Sequence, residues 1–228
     1  MPANIFFNLR RRDFCLGVAA ALAAPGLSRA ADYKEAPVLA RLVAASKLPP
    51  LAQRLPDEPL VVTPFKTVGV YGGTWRLSMA SASDISSLVR TIGYENFTRW
   101  KTWLPEVKQT DILPDVEPNV AKSIDIAEDG KLYTFHLRSG LKWSDGHPYT
   151  ADDVMFWYED VYSNTEIMPA KPIWSVRGGK PVVVEKIDDY TVTFRFAAPN
   201  GLLLQQLARP AYDPEPTRRP WRSSPTRR

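Results

Sequence analysis

The feature that most constrains this fold is an unbroken series of strand, turn and helix signals between Ala121 and Tyr162. Two runs typical of β-strands, Ser123–Ile126 and Leu132–Leu137, flank the triplet Glu128-Asp129-Gly130. An Asp-Gly pair between two alternating runs predicts a hairpin, because glycine accepts the positive φ that such turns require. In the second run, alternation directs two sets of side chains to opposite faces of the sheet: Tyr133, Phe135 and Leu137 to one, and Thr134, His136 and Arg138 to the other.

A second turn and a helix start follow the hairpin. Trp143-Ser144-Asp145-Gly146 predicts the turn, in which Trp143 is a structural residue, and the helix begins near Thr150. Asp153 stands three residues after Thr150, an arrangement similar to a capping box. Apolar residues then recur at helical spacing and predict one buried stripe, formed by Ala151, Val154, Tyr158 and Val161.

This ordered run resembles the characteristic segment of the family 5 extracellular solute-binding proteins, the periplasmic receptors of peptide-type ABC importers. The residues that carry the resemblance are Asp129 and Gly130, the strand Tyr133–Arg138, the loop with Trp143, Asp145 and Gly146, and the helix start with Asp153. The resemblance implies a mixed α/β fold in which residues 65–208 form an incomplete lobe of the type II periplasmic-binding-protein kind, with disordered ends. It implies a peptide or similar small solute and ABC permease subunits in the inner membrane as partners, a monomeric receptor, and no cofactor or metal ion.

Residues 1–30 have the pattern of an export signal, which places the mature chain in the periplasm. Arg11-Arg12-Asp13-Phe14 resembles the twin-arginine motif, although an ordinary Sec signal with an extra arginine stays open. A short apolar run follows, and Ser28-Arg29-Ala30 predicts cleavage after Ala30. Because Cys15 is the single cysteine, the mature chain would have neither a disulfide nor a cysteine nucleophile or metal ligand.

The tail, residues 209–228, is dense in proline, arginine and serine and is predicted to be disordered. Two interpretations stay open: a basic functional tail, or translation of a wrong reading frame after Ala208, which would make the chain an amino-terminal fragment. Residues 1–30 contribute a charge of +3 and residues 209–228 contribute +4 to a total of +4, which leaves −3 on residues 31–208. The overall basic charge therefore does not indicate a nucleic-acid partner.

The remaining segments are read from proline and glycine positions and from alternation. Residues 31–64 predict a helix over Ala36–Ser46, with an apolar face, and then a proline-broken wrap over the surface. Gly72-Gly73 predicts a turn that leads into a strand. Two further alternating runs, Val182–Ile187 and Tyr190–Phe196, predict a second hairpin.

The candidate solute contacts are inferred from position after the first predicted strand: Ser81, Ser83, Tyr94, Asn96 and Trp100. Trp103 and Trp174 stand in loop-like sequence and offer further aromatic surface for an elongated ligand. An incomplete lobe has no cleft to close, so we expect impaired solute binding. The alternative function is an exported hydrolase, such as a glycosidase, that uses two carboxylates; Asp152 and Asp153 fit the positive end of a helix better than such a pair.

Overall fold

A computed structural model describes residues 33–62, 64, 67–74, 76, 78–84, 95–101 and 116–209. The fold is mixed α/β. The helices are α1 (Pro37–Ala44), α2 (Leu51–Arg54), α3 (Ala151–Phe156), a π-helix (Trp157–Tyr162) and α4 (Leu203–Leu207). The strands are β1 (Thr98–Trp100), β2 (Val116–Pro118), β3 (Ala121–Ala127), β4 (Leu132–Leu137), β5 (Val176–Arg177), β6 (Lys180–Pro181), β7 (Val183–Asp188) and β8 (Thr191–Arg195).

The core lies on one face of a four-stranded antiparallel sheet in the order β3-β4-β8-β7. Both predicted hairpins are confirmed: β3 pairs with β4, and β7 pairs with β8. The turn between β3 and β4 places Glu128, Asp129 and Gly130 at φ values of 52°, 54° and 81°. This run of left-handed residues is the backbone conformation that an Asp-Gly turn was predicted to supply.

Alternation along the two central strands builds the core. In β4, Tyr133, Phe135 and Leu137 are buried, while Thr134 and His136 are half-exposed on the other face. Register places Phe135 opposite Val192 and Tyr133 opposite Phe194, so neighbouring strands bury the same face. Arg138 differs from the prediction: it follows the end of β4 and its side chain is buried, because its guanidinium donates to backbone carbonyls.

The predicted helix start is confirmed. The Thr150 side chain accepts from the Asp152 N–H, and the Asp153 carboxylate accepts from the Thr150 N–H at 2.9 Å, which completes a capping box. The predicted stripe is confirmed for Ala151 and Val154, which are buried, while Tyr158 and Val161 are partly buried and pack against the core.

A π-helix explains why Tyr158 and Val161 are less buried than Ala151 and Val154. After Phe156 the helix widens, and the Ser163 N–H donates to the Tyr158 carbonyl, five residues back, at 2.9 Å. The wider turn changes the phase of the side chains. Trp157 and Tyr162 are therefore buried, whereas Tyr158 and Val161 are half-exposed.

The amino-terminal part contributes no buried side chain among the residues described between 33 and 84. The predicted helix is present as α1, but its apolar residue Val38 is 65% exposed. The predicted surface wrap is present and lies against the turn after β4. Gly72 and Gly73 adopt positive φ, as the predicted turn requires, while Trp75 and Leu77 of the predicted strand lie outside the described residues.

Two small ladders complete the described structure. β1 pairs with β2, and Thr98 Oγ1 donates to the Leu204 carbonyl of α4 at 2.8 Å. β5 and β6 form a short hairpin. Within the described ranges, no helix has the length and apolar character needed to cross a membrane.

Candidate functional site

The candidate site is the edge formed by β1 and β2, which contains two of the predicted solute contacts. Phe97 anchors this edge in the core: its ring stacks on Phe135 at 5.2 Å and meets Phe194 edge-on at 6.1 Å. Thr98 is also buried and is held by α4. The edge is therefore attached to the core by its central residues, and its two ends face outward.

Polar groups line the amino-terminal end of this edge. The Asn96 carbonyl accepts from the Val120 N–H at 3.1 Å and from Asn119 Nδ2 at 3.0 Å. Asn119 Nδ2 also donates to the Glu95 carboxylate at 2.7 Å. These bonds fix the backbone of Asn96. Sequence reasoning did not predict the contact between Glu95 and Asn119, because the two residues are 24 positions apart in the chain.

The other end of the edge carries an aromatic ring. Trp100 is half-buried and lies opposite Val116, and the neighbouring Arg99 Nε lies 3.0 Å from Glu117 Oε1. A partly exposed indole beside fixed charges offers apolar contact area together with groups that orient a ligand. This arrangement is suited to binding a small solute without covalent chemistry.

The other predicted solute contacts lie on another segment or outside the described residues. Ser81 and Ser83 lie at a different turn of the backbone, where the Asp84 carboxylate accepts from the N–H groups of Ala80 and Ser81 at 2.8 and 3.0 Å. Tyr94 and Trp103 are outside the described residues. The structure thus brings Asn96 and Trp100 onto one segment and Ser81 and Ser83 onto another.

The prediction for Trp174 is wrong. It was predicted to offer ligand surface, but it is 3% exposed, and its ring lies 6.4 Å from that of Trp157 in a stacked arrangement. Asn200 Nδ2 donates to the Trp174 carbonyl at 2.9 Å inside the core. Because Trp157 belongs to the π-helix, the sequence pattern gave no sign of this contact.

The residues that carried the family resemblance have structural roles in the turn before α3. Trp143 packs on Tyr149 with ring centroids 5.3 Å apart, and Gly146 holds the turn at a φ of 91°. Asp145 Oδ1 accepts from the His147 N–H at 3.1 Å. Burial, and secondarily the charge of Asp153, raises the pKa of the Tyr149 hydroxyl well above its usual value.

Asp152 and Asp153, which the sequence assigned to the start of a helix rather than to a catalytic pair, make structural contacts. Asp153 caps α3, and Lys186 Nζ lies 2.9 Å from Asp152 and 2.7 Å from Asp189. Hydrogen bonds to Asp189 and then Asp152 raise the pKa of Lys186. In the part of the chain that the structure describes, no three His, Cys, Asp or Glu side chains are grouped to hold a metal ion.

Known proteins match both the sequence and the fold. Residues 115–226 match the family described as bacterial extracellular solute-binding proteins, family 5 middle. This range continues past Ala208, where the resemblance was expected to end. The periplasmic alpha-galactoside-binding protein of Rhizobium meliloti is 38% identical over 184 residues, which cover 72% of this chain and 25% of that relative.

Two solved structures share the architecture. The oligopeptide-binding protein OppA aligns with a TM-score of 0.65 and 44% identity, covering 77% of this chain and 26% of its own. The periplasmic binding protein MelB of Agrobacterium fabrum, solved with stachyose, aligns with a TM-score of 0.55 and 35% identity, covering 77% and 28%. The chain thus spans about a quarter of the length of the proteins it matches, and what it covers of these type II periplasmic binding proteins is an incomplete lobe.

Proposed function

Because this chain belongs to the family 5 extracellular solute-binding proteins, whose members serve ABC importers, we propose that it forms part of the receptor that captures a solute in the periplasm. The observation that carries this proposal is the alignment of 77% of the chain with an oligopeptide-binding protein. The receptor would be monomeric and would deliver its solute to permease subunits. Residues 1–30 would direct its export by the twin-arginine route, with cleavage after Ala30.

Peptides are the first candidate solutes, by analogy with that neighbour. A second class, the α-galactosides, is favoured by a specific observation: the relative aligned over 184 residues is named for binding them. The half-buried Trp100 suits both, since an indole packs against an apolar side chain or against the C–H face of a sugar. Both classes therefore belong in any binding test.

In this proposal the protein binds and performs no reaction. Trp100 supplies contact area, and Asn96 lies where its backbone is fixed by Asn119. Ser81, Ser83 and Tyr94 are the further proposed contacts. A hinged receptor buries its solute between two lobes, and its affinity includes the free energy of closing. The 228-residue polypeptide by itself should therefore bind weakly.

Titration calorimetry tests the expected impairment of binding. The 228-residue chain is titrated with a peptide mixture and with raffinose, and we expect no saturable heat at micromolar concentration. A saturable micromolar signal would contradict impaired binding. Comparing Trp100→Ala with Thr165→Ala, which changes an exposed residue of another turn, would then show whether the β1–β2 edge contributes.

The gene offers a second test. Reading downstream of codon 208 in the other frames should reveal a long, patterned continuation if the frame is lost there. A polypeptide that includes such a continuation should bind one of the two solute classes. If that longer product binds neither class, the receptor function itself is refuted rather than the impairment of the shorter chain.

The hydrolase alternative gains no support from the relatives, which are solute-binding proteins. Asp152 and Asp153 are adjacent and engaged at the start of α3. A glycosidase needs two carboxyl groups that face each other across a bound sugar. Assays on a glycoside panel would overturn the binding proposal if they detected turnover that Asp152→Asn abolished.

A further inference from the structure

We infer that residues 51–58, the amino-terminal strap, open and close as a unit on a sheet that stays folded. The strap comprises α2 and the four residues after it, and it lies against residues 138–142. None of its residues is buried: each is half-exposed or exposed. Opening the strap therefore removes little apolar surface from the core, which is the property of a segment that opens locally.

Polar contacts hold the strap in place. The Asp57 N–H donates to the Ser139 carbonyl at 3.0 Å, and the Ser139 hydroxyl donates back to the Asp57 carboxylate at 2.6 Å. Lys142 Nζ donates to the Gln53 carbonyl. Both ends of the strap are thus bonded to one turn, and water can replace each of these partners when the strap leaves.

Arg138 connects the strap to the sheet. Its guanidinium donates to the Glu58 carbonyl at 2.8 Å and to the Asn119 carbonyl at 2.7 Å. Lys122 Nζ adds an exposed ion pair with the Glu58 carboxylate at 2.7 Å. Because Arg138 also donates to the Asn119 carbonyl, it keeps one backbone partner when the strap opens, and water can reach the N–H groups that leave Glu58.

Gly140 allows Asp57 of the strap to lie close to the turn after β4. Its φ is 75°, and a Cβ atom there would lie 2.9 Å from Asp57 Oδ1 and 3.1 Å from the Asp57 nitrogen. Any side chain at this position would push Asp57 away from Ser139. Gly146 is the matched control, since its φ is 91° but a Cβ there meets nothing within 4 Å.

Hydrogen exchange followed by mass spectrometry on the full chain tests the inference. Peptides that cover 51–58 are compared with peptides that cover 132–137 in the parent, Gly140→Ala and Gly146→Ala. We expect Gly140→Ala to speed exchange of the strap at least about tenfold more than Gly146→Ala does, while β4 is protected equally in both. Equal effects of the two substitutions would overturn the inference, and so would equal acceleration in the strap and β4.

A measurement on the unmodified chain keeps the inference testable if Gly140→Ala does not fold. Exchange is followed at several urea concentrations below the unfolding transition. Exchange of the strap should be faster than that of β4 and nearly independent of urea, because its opening exposes little surface. A strap that exchanges as slowly as β4 with the same urea dependence, or a β4 with no protection, refutes the inference.

Discussion

The hydroxyl of Tyr149 gives a sharp test of the core. Tyr149 is 5% exposed, and its oxygen is buried without a hydrogen-bond partner among the described residues. Tyr133 is the matched case, because its buried hydroxyl donates to the Asn200 carbonyl at 2.7 Å. The two tyrosines lie in the same core and differ in whether the hydroxyl is paired.

The two substitutions should change the free energy of unfolding in opposite directions. An unsatisfied buried polar group costs about 1–3 kcal/mol, so Tyr149→Phe should raise the free energy of unfolding by about 1 kcal/mol after imperfect repacking. A made hydrogen bond contributes about 0.5–1.5 kcal/mol, so Tyr133→Phe should lower the free energy of unfolding by about 1 kcal/mol. The two variants should therefore differ by about 2 kcal/mol.

Urea unfolding at pH 7, followed by tryptophan fluorescence, measures this difference. Trp157 and Trp174 are buried and should report on loss of the core. The slope of free energy against urea must be equal in the three proteins for the values to be compared. If Tyr149→Phe is destabilised as much as Tyr133→Phe, the Tyr149 hydroxyl has a partner such as an ordered water, and the reasoning fails.

Three further predictions use the same assay. Burial raises the pKa of Tyr149, so above pH about 10 the unfolded chain releases this proton before the folded chain does, and the free energy of unfolding falls as pH rises. Tyr149→Phe should reduce that fall between pH 9 and about 11. An unchanged pH profile would contradict the raised pKa of Tyr149. Thr150→Ala removes the capping box and should cost about 0.5–2 kcal/mol, whereas Thr165→Ala, at an exposed position, should cost little; equal losses would argue against the cap. Phe135→Ala empties a fully buried site and should cost about 3–5 kcal/mol, while Ile126→Ala, at a side chain that is 54% exposed, should cost well under half of that.

Local rules predicted the central part of this fold. Alternation in β4 placed Phe135 on the buried face because the pleat enforces a period of two. The cap at Thr150 was predictable because its partners lie within three residues. These features depend on neighbours in sequence, which a single chain displays.

Contacts between distant segments could not be predicted in this way. The hydrogen bond from Arg138 to the Glu58 carbonyl joins residues 80 positions apart, and the sequence around Arg138 does not indicate this partner. Alternation predicted that the Arg138 side chain lies on the exposed face of the sheet, but the strap covers that side chain. The apolar face of α1 was visible in the sequence, but Val38 has no core to face within the described structure.

At the candidate site, too, local features were predicted and contacts between distant residues were not. Asn96 and Trp100 were proposed from position, and the structure adds the contacts of Glu95 and Asn119 that fix the segment. Trp174 was misjudged because loop-like sequence around an aromatic does not reveal its burial. That burial depends on packing against Trp157, which belongs to a different element of the fold.

The π-helix also makes the chain sensitive to its residue count at this point. Each residue of an α-helix turns the following side chains by about 100°. A π-turn holds one residue more than an α-turn, so deleting one residue from Trp157–Tyr162 would let an ordinary α-helix continue with the following side chains in nearly the same direction. Tyr162 would then stay near the Ser175 hydroxyl, which it now contacts at 2.9 Å, whereas a second deletion would turn it away by about 100°. The segment should therefore tolerate the loss of one residue better than the loss of two.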